Sequence, residues 1–338
     1  MTETYREVEG ILFIGDPHLS SKKPGRRKDG NFSATVLKKI EYAINICNER
    51  RFVPCFLGDM FDDAVEKDES LKTKLIRILR QCWTTPISNV GNHDKVNDTL
   101  TDSDTLAIIA ESGVLNVCTK AGAFETFKIG DKIVGLGATP YGQSFPTDAR
   151  PFFGQVDQIV WLTHHDVAFE NPYPGSVAPQ AIIGCKLVVN GHMHLRKNVV
   201  RVGATVWFNP GNIIRQHVDA IDHEPAVFAL TAKGSLEKFV IPHEKIIFDL
   251  TGKLIDAISP GEAPTPESNK DFDSAFVNLL NANSSMEMAK SDDGSILLED
   301  IKDKFEREKT SVEVQDIVLG LLSRAVKNEK QLIAEVKV

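Results

Sequence analysis

The chain has 338 residues, of which 42% are hydrophobic and 25% charged, and it carries a formal net charge of −8 at pH 7. This composition is typical of a folded globular protein and excludes a disordered or collagen-like chain, and the length suggests about two domains. The negative net charge argues weakly against nucleic acid as a partner, because binding to phosphate backbones depends on Lys and Arg.

The sequence predicts neither a membrane segment nor a signal peptide. It contains no apolar run of about 18 residues, and residues 1–9 are polar and acidic, whereas a signal peptide begins with basic and then apolar residues. The five cysteines include no C-x-x-C pair, and most lie among apolar neighbours. We therefore expect a cytoplasmic protein with reduced cysteines and no membrane partner.

The first part of the chain alternates short apolar runs with amphipathic segments. Strands are predicted at residues 10–15, 52–58 and 86–91, and helices at residues 33–50 and 69–83. Within the first helix, Val36, Ile40 and Ile44 fall on one face at helical spacing. Strands joined by helices in this way are normally parallel neighbours in one sheet.

A third helix is predicted at residues 104–111, between the N-cap-type residue Asp104 and Gly113. The following region is richer in strands, which we assign to a second sheet: residues 123–128, 132–136, 158–163, 186–190, 199–202, 206–209 and 226–230. The fold class indicated is α/β, with two sheets and flanking helices.

The composition changes at about residue 243. The net charge is −1 over residues 1–242 and −7 over residues 243–338. Residues 259–269 contain three prolines and no large apolar side chain, which is typical of a linker. Amphipathic helices are predicted beyond it, at residues 274–280, 296–309 and 312–326. We therefore predict a domain at residues 1–242 and a small, mainly helical C-terminal region at residues 243–338.

Polar motifs follow five of the predicted strands: Asp16-Pro17-His18, Gly58-Asp59-Met60-Phe61-Asp62, Gly91-Asn92-His93-Asp94, Thr163-His164-His165-Asp166 and Gly191-His192-Met193-His194. The carboxyl ends of strands in open α/β sheets are where ligand sites gather. Taken alone, Asp16 and His18, His164 and His165, or His192 and His194 would more often be turn residues beside a structural histidine, but the five motifs in this arrangement indicate a metal site. Carboxylate, imidazole and amide ligands without thiolates suit Mn²⁺, Fe²⁺ or Zn²⁺ and argue against a closed structural zinc site.

In this order, D-x-H, G-D-x-x-D, G-N-H-D, a later histidine and G-H-x-H resemble the motifs of the calcineurin-like metallophosphoesterases. The resemblance covers residues 16–194 and implies a four-layer α-β-β-α sandwich with two divalent ions at its edge. We expect Mn²⁺, with Fe²⁺, Zn²⁺ or Mg²⁺ as alternatives. The implied ligands of one ion are Asp16, His18, Asp59 and His194, and those of the other are Asp59, Asn92, His164 and His192. His165 remains the alternative to His164.

The resemblance also implies roles around the metals. Metal-bound hydroxide would attack the phosphoester in line. His93 would face the scissile phosphate, as a stabilising group or general acid, and Asp94 would orient His93. Asn209 lies in a turn that resembles one in the family, and we assign it a backbone-positioning role first.

Three features are similar to the SbcD-type DNA repair nucleases, which work with an SMC-like, SbcC-type ATPase. They are the G-D-M-F-D form of the second motif, a resemblance of residues 236–250 to the strand pair that enters a capping domain, and a basic loop after His18. The basic side chains are Lys22, Lys23, Arg26, Arg27 and Lys28, and they could bind backbone phosphates or simply form a solvated surface. The position of Asp62 is a histidine in archaeal and eukaryotic members.

The sequence therefore predicts a DNA nuclease, an exonuclease or an endonuclease, with DNA, an ATPase subunit or a second copy of the chain as partners. Two bound divalent ions would add a charge of +4 to the site, so the negative net charge of the chain is only a weak argument against DNA as a partner. One alternative is a stand-alone phosphodiesterase or phosphatase acting on small nucleotides or other phosphoesters. Another is a metal-binding scaffold subunit without catalysis.

Overall fold

The computed structural model describes residues 5–250 and, in the C-terminal region, residues 301, 302, 305, 312, 315 and 319. The chain divides into two compact units. The first comprises Met1–Lys23, Asp29–Arg215 and His223–Lys245, and the second comprises Pro24–Lys28, Gln216–Asp222 and Ile246–Val338. All the predicted metal ligands lie in the first unit.

The first unit contains three α-helices and thirteen strands among the described residues. The helices are α1 (Phe32–Arg50), α2 (Glu69–Arg80) and α3 (Thr105–Glu111). The strands are β1 (Arg6–Val8), β2 (Gly10–Ile14), β3 (Phe52–Phe56), β4 (Ile87–Ser88), β5 (Asn116–Val117), β6 (Gly122–Ile129), β7 (Lys132–Thr139), β8 (Gln158–Thr163), β9 (Cys185–Asn190), β10 (Val200–Val202), β11 (Thr205–Phe208), β12 (Ala226–Thr231) and β13 (Leu236–Val240).

The first sheet has the order β13-β12-β2-β3-β4-β5. Strands β2 to β5 are parallel. Strand β12 pairs antiparallel with β2, and β13 pairs antiparallel with β12. Side chains alternate between the two faces of β2, so that Leu12 and Ile14 lie on the face covered by α1 and α2. There they pack in one core with Val36 of α1 and Leu75 of α2. The predicted helices at residues 33–50 and 69–83 therefore exist and cover one face of this sheet.

The second sheet has the order β1-β6-β7-β8-β9-β11-β10, and its strands β7, β8, β9 and β11 are parallel. Its inner face, including Leu136 and Val160, packs against Ile11 and Phe13 of the first sheet. One core thus lies between the two sheets, as the predicted α/β sandwich requires, and another lies between the first sheet and its helices.

The outer face of the second sheet is covered differently from the first. Among the described residues, loops and the 3-10 turn Arg150–Phe152 form this fourth layer, and they bury Trp161 and Trp207 together with Phe169. The connections that supply it contain many helix breakers, namely Pro140, Gly142, Pro146, Pro151, Gly154, Pro172, Pro174, Gly175, Pro179 and Gly184. Proline lacks the backbone N–H that a helix interior needs, so these connections cross the sheet as loops.

Two predicted assignments at the end of the first unit are wrong. Strand β12 belongs to the first sheet, where Phe228 pairs with Phe13. The strand pair predicted within residues 236–250 is only one strand, β13, which returns antiparallel beside β12 instead of leaving the domain. Apolar periodicity identifies a strand but not its partner, because pairing is a long-range property.

The second unit contains a small apolar cluster of Val218, Ile247 and Phe248. Helical backbone is described at residues 301, 302, 305, 312, 315 and 319, which fall within the predicted helices 296–309 and 312–326. The predicted linker 259–269 and helix 274–280 lie outside the described residues, and the division at residues 242 and 243 stays a prediction. No helix in the described part of the chain is both long enough and apolar enough to cross a membrane.

Candidate metal centre

The predicted ligands converge at one edge of the two sheets. Asp16 and Asp59 follow β2 and β3, while His164 and His192 follow β8 and β9. Backbone hydrogen bonds join neighbouring loops: His18 N donates to Asp59 O over 2.9 Å, and Gly191 N donates to Thr163 O over 2.9 Å. The parallel order of each sheet therefore brings together residues that are far apart in the sequence.

Asp59 occupies the centre of the cluster. Its Oδ1 accepts a hydrogen bond from His93 N over 2.8 Å. Its Oδ2 lies 3.0 Å from His164 Nε2 and 3.7 Å from His18 Nε2. One oxygen is thus fixed by the backbone and the other lies between two groups of ligands, which is the position that a bridging carboxylate takes in a two-metal site.

One group of candidate ligands contains Asp16, His18 and His194, whose ligand atoms all lie within 4.8 Å of one another. His18 Nε2 and His194 Nε2 face each other over 3.1 Å. Asp16 and His18 are 1% and 0% exposed. This group agrees with the first predicted ligand set, with Asp59 Oδ2 beside His18.

A second group contains Asp59, His164 and His192, also with ligand atoms within 4.8 Å, and a third group, His18, Asp59 and His93, overlaps the first two. Asn92 joins it, because Asn92 Oδ1 lies 2.8 Å from His192 Nδ1. His164 Nδ1 lies 3.0 Å from the Leu57 carbonyl and donates to it, so Nε2 is the ring nitrogen directed at the cluster. The structure brings together all seven predicted ligands.

The buried polar atoms of the cluster fit a divalent ion. Asp16 Oδ1, Asp59 Oδ2 and His164 Nε2 make no hydrogen bond, although the last two lie only 3.0 Å apart. Buried polar atoms are normally satisfied. Three unsatisfied ligand-type atoms aimed at a common region are what a carboxylate and imidazole metal site presents to its ion.

The electrostatics of the cluster point the same way. Burial lowers the pKa of His164, but the carboxylates of Asp59 and Asp16 outweigh it and raise that pKa to about 10. Burial, together with the Asp59 carboxylate, raises the pKa of Asp94 to about 7. The His164 shift, and the contribution of Asp59 to the Asp94 shift, reflect buried negative charge, which a divalent cation would neutralise.

Glycines make room for the ligands at three strand ends. A Cβ at Gly91 would lie 2.1 Å from Asp59 Oδ1, and one at Gly191 would lie 2.7 Å from His164 Nδ1. Gly58 has a φ of +123°, and its Cβ would lie 2.4 Å from His164 Nδ1. The glycines that open the predicted motifs are therefore required by close approach of the ligands.

The role predicted for Asp94 needs correction. Asp94 Oδ2 accepts from Asp59 N and Gly91 N, both over 2.8 Å, and Oδ1 accepts from Met60 N over 2.9 Å. Its carboxylate therefore holds the backbone around the bridging Asp59. His93 is oriented instead by the backbone of Asp62, whose carbonyl oxygen lies 2.6 Å from His93 Nδ1. Sequence adjacency does not reveal which way a side chain turns.

The basic side chains of the predicted loop differ in exposure and do not form one continuous basic surface. Lys22 has a 79% exposed side chain and an ion pair of 2.8 Å with Asp63, and Lys23 is also exposed. Arg26 and Arg27 are buried in contacts of the second unit: Arg26 Nη1 donates to Asp249 O, and the Arg27 guanidinium lies over the Phe248 ring.

The backbone N–H of Lys28 likewise donates to Ile247 O. The two arginines therefore have structural partners, whereas the side chains of Lys22, Lys23 and Lys28 are exposed.

Two further predicted residues take structural positions. His165 Nε2 donates to Gln143 O over 2.9 Å, and burial lowers the pKa of His165 to about 4, so His164 and not His165 joins the cluster. Asn209 Nδ2 donates to Met193 O over 2.7 Å and to Leu195 O over 3.0 Å. Asn209 thus positions the loop that carries His192 and His194.

One aromatic and one acidic neighbour of the site were not predicted from the sequence. The Tyr141 ring lies 5.5 Å from the His192 ring, and Asp166 Oδ2 lies 2.9 Å from His192 Nε2. Tyr141 follows β7, the neighbour of β8, and its location could have been found only by extending the predicted strand 132–136 to Thr139. Asp166 stood inside a recognised motif, but nothing in the sequence pairs it with His192.

Comparisons with known family profiles and with curated proteins found no match. Two similar solved structures come from Thermus thermophilus. A hypothetical protein has 12% identity and a TM-score of 0.40, covering 69% of this chain and 100% of that chain. A 5'-nucleotidase precursor has 14% identity and a TM-score of 0.39, covering 69% of this chain and 54% of that chain, or about half its length. These similarities are low, so the functional assignment rests on the site itself.

Proposed function

We propose that the chain is a dinuclear metal-dependent phosphodiesterase whose substrate is DNA. The observation that carries the proposal is the position of Asp59 Oδ2, between His164 Nε2 at 3.0 Å and His18 Nε2 at 3.7 Å. One carboxylate shared by two imidazole groups is suited to a pair of ions, and a metal pair in a site built of oxygen and nitrogen ligands typically serves phosphoester hydrolysis.

The ligand assignment follows the first two groups of the cluster. Asp16, His18, Asp59 and His194 would hold one ion, and Asp59, Asn92, His164 and His192 the other. Two divalent ions, for which we propose Mn²⁺, supply Lewis acidity and a nucleophile at neutral pH when bound. The protein contributes fixed ligand positions, since Asp94 and Asn209 hold the loops that carry them.

As a general acid, His93 would donate a proton to the leaving oxygen. Its Nδ1–H donates to the Asp62 carbonyl, 2.6 Å away, so Nε2 is the ring atom that can accept or release a proton. The His93 ring lies edge-on to the His18 ring with centroids 5.0 Å apart, which keeps it beside the candidate metal site. Replacing such a group typically lowers the rate by roughly 10²–10⁴-fold.

DNA is favoured as the substrate by the accessible lysines of the loop that follows His18. Lys22 and Lys23 come within five residues of a candidate ligand, and such side chains bind phosphates that flank the cleaved bond without reading sequence. An SMC-like ATPase or a second copy of the chain as partner belongs to the same proposal.

The test is hydrolysis by purified protein with Mn²⁺, offered linear duplex, hairpin and single-stranded DNA and bis(p-nitrophenyl) phosphate. Asp59→Asn and His93→Ala should lower every activity about a hundredfold or more. Asp131→Asn, at an exposed turn between β6 and β7, is the matched control and should keep wild-type rates.

Two results would change the proposal. Hydrolysis of the small ester without cleavage of any DNA, with or without an ATPase subunit, would replace DNA by a small phosphoester as the substrate. No hydrolysis of either class by a protein that binds Mn²⁺ would reject the phosphodiesterase and favour a metal-binding scaffold.

A further inference from the structure

Asp166 and His192 form a carboxylate–imidazole contact at the margin of the candidate metal centre. Asp166 Oδ2 lies 2.9 Å from His192 Nε2, with side-chain exposures of 40% and 18%. Asp166 belongs to none of the groups of ligand atoms in the cluster. It contacts His192 through Nε2, whereas Nδ1 faces Asn92, so its role is indirect.

The pair determines which nitrogen of His192 is available to an ion. A carboxylate can only accept, so the hydrogen of this contact belongs to His192 Nε2. A neutral imidazole then carries its lone pair on Nδ1, which lies 2.8 Å from Asn92 Oδ1, a second acceptor. Two acceptors turned toward each other are the arrangement of two ligands of one cation.

Asp166 is itself held in place from both ends. Tyr173 Oη donates to Asp166 Oδ1 over 3.1 Å. The backbone carbonyl of Asp166 accepts from Val177 N over 2.7 Å, and Ala168 N donates to Val177 O over 2.9 Å. These contacts close the base of the loop that contains Tyr173, so that the loop fixes the carboxylate against His192.

The backbone of His192 adds a reason for such support. His192 has a φ of +69°, which a residue with a Cβ adopts only when its surroundings enforce it. A ligand in this conformation gains from a partner that fixes its ring, because free rotation would remove Nδ1 from the position beside Asn92.

We propose that Asp166 is a positioning residue for the ion held by Asn92, His164 and His192, and that Tyr173 positions Asp166. The carboxylate selects the Nε2–H tautomer of His192 and presents Nδ1 to the ion. This inference rests on the metal pair of the proposed function but not on the reaction that it catalyses.

The experiment is calorimetric titration of metal-free protein with MnCl₂, in wild type and three variants. Wild type should bind two ions. Asp166→Ala should weaken one of the two binding steps by about 10–100-fold and leave the other unchanged, since partners of metal-ligating histidines have effects of this size. Asp166→Asn keeps an acceptor and should lie between these results, and Tyr173→Phe should weaken the same step by less than Asp166→Ala.

Glu170→Gln is the matched control, because Glu170 is an exposed carboxylate of the same loop; it should bind both ions as wild type does. A second readout is ¹⁵N NMR of histidine-labelled, metal-free protein. His192 should be the Nε2–H tautomer in wild type and a mixture of tautomers in Asp166→Ala, while the other histidines keep their wild-type tautomers; loss of folding would instead change all of them.

Binding of both ions by Asp166→Ala at wild-type affinity would overturn the inference, as would equal weakening of both steps or binding of a single ion by wild type. Wild type that binds two ions, with one step dependent on Asp166, supports the inference even if it hydrolyses no phosphodiester. That last result would reject the proposed function alone.

Discussion

Three of the candidate ligands have left-handed backbone conformations. His18, Asp59 and His192 have φ values of 45°, 47° and 69°, and among the described non-glycine residues only Arg51 shares this property. Such conformations cost about 1–3 kcal/mol each and persist where the surrounding structure enforces them. Asp94, which holds the backbone at Asp59, is one source of that enforcement.

The ligand types were predictable from the sequence, because aspartate and histidine after glycine-bounded strands limit the chemistry. The orientation of each side chain was not. Asp94 turns toward three backbone N–H groups and not toward His93, and the partner of His192, Asp166, lies 26 positions away in the sequence. Such contacts depend on loop conformation, which no residue pattern records.

Gly91→Ala tests the close approach at the bridging carboxylate. A Cβ at residue 91 would lie 2.1 Å from Asp59 Oδ1 and 2.6 Å from Asp59 N, so the aspartate must move. We expect a loss of about 1–3 kcal/mol of unfolding free energy from overpacking, together with weaker Mn²⁺ binding in calorimetric titration. Gly154→Ala, where a Cβ would meet nothing within 4 Å, should change neither quantity, and unchanged Mn²⁺ affinity in Gly91→Ala would contradict the geometry.

The cysteines should react slowly in the folded protein. Burial raises the pKa of the Cys118 thiol to about 11 and that of Cys185 to about 12, so both stay protonated and poorly nucleophilic at pH 8. Cys82 is half-buried and the most accessible of the five. Titration with a chromogenic disulfide reagent should show one faster thiol, which Cys82→Ser removes; five equally fast thiols would be inconsistent with the buried positions.

At the scale of elements, the helices were the most predictable parts. The apolar positions of α1 and α2 recur at helical spacing and are buried against the first sheet. The N-terminus of α3 is an element that the local sequence pattern did not predict correctly. The Asp104 side chain does not cap the helix; it accepts hydrogen bonds from Val96 N, Thr101 N and Thr101 Oγ1. A capping residue was expected, and the structure uses it to fix the loop after the third motif.

Asp68 is the contrasting case, since it caps α2 directly. Its Oδ1 accepts from Ser70 N over 2.8 Å and from Leu71 N over 3.1 Å. Asp68→Ala should lower the unfolding free energy by about 1 kcal/mol, measured by urea denaturation, while Mn²⁺ affinity stays at the wild-type value. Asp68→Asn retains a capping oxygen and should be close to wild type, and an equal loss in both variants would show that the cap is not the cause.

For the whole molecule, the two-sheet arrangement determines where the site can form. The candidate ligands span residues 16–194, and they meet because parallel strands of both sheets end at one edge. Sheet membership was only partly predictable, since β12 joins the first sheet by pairing with β2 over 200 residues away in the chain. An ion bound at this edge therefore connects loops from both sheets and should stabilise the fold of the first unit as a whole.

Metal removal should consequently destabilise the protein. Asp16 Oδ1 and Asp59 Oδ2 are buried and have no hydrogen-bond partner in the protein, and an ion that binds only the folded state adds about 2.7 kcal/mol at a free concentration of 100 times its Kd. Urea denaturation with Mn²⁺ should therefore show a higher unfolding free energy than with EDTA. Asp131→Asn should show the same increase and Asp59→Asn little or none. Equal stability of the wild type in Mn²⁺ and in EDTA would mean that the cluster does not bind the ion in the folded state, because binding and stabilisation are linked through the same equilibrium.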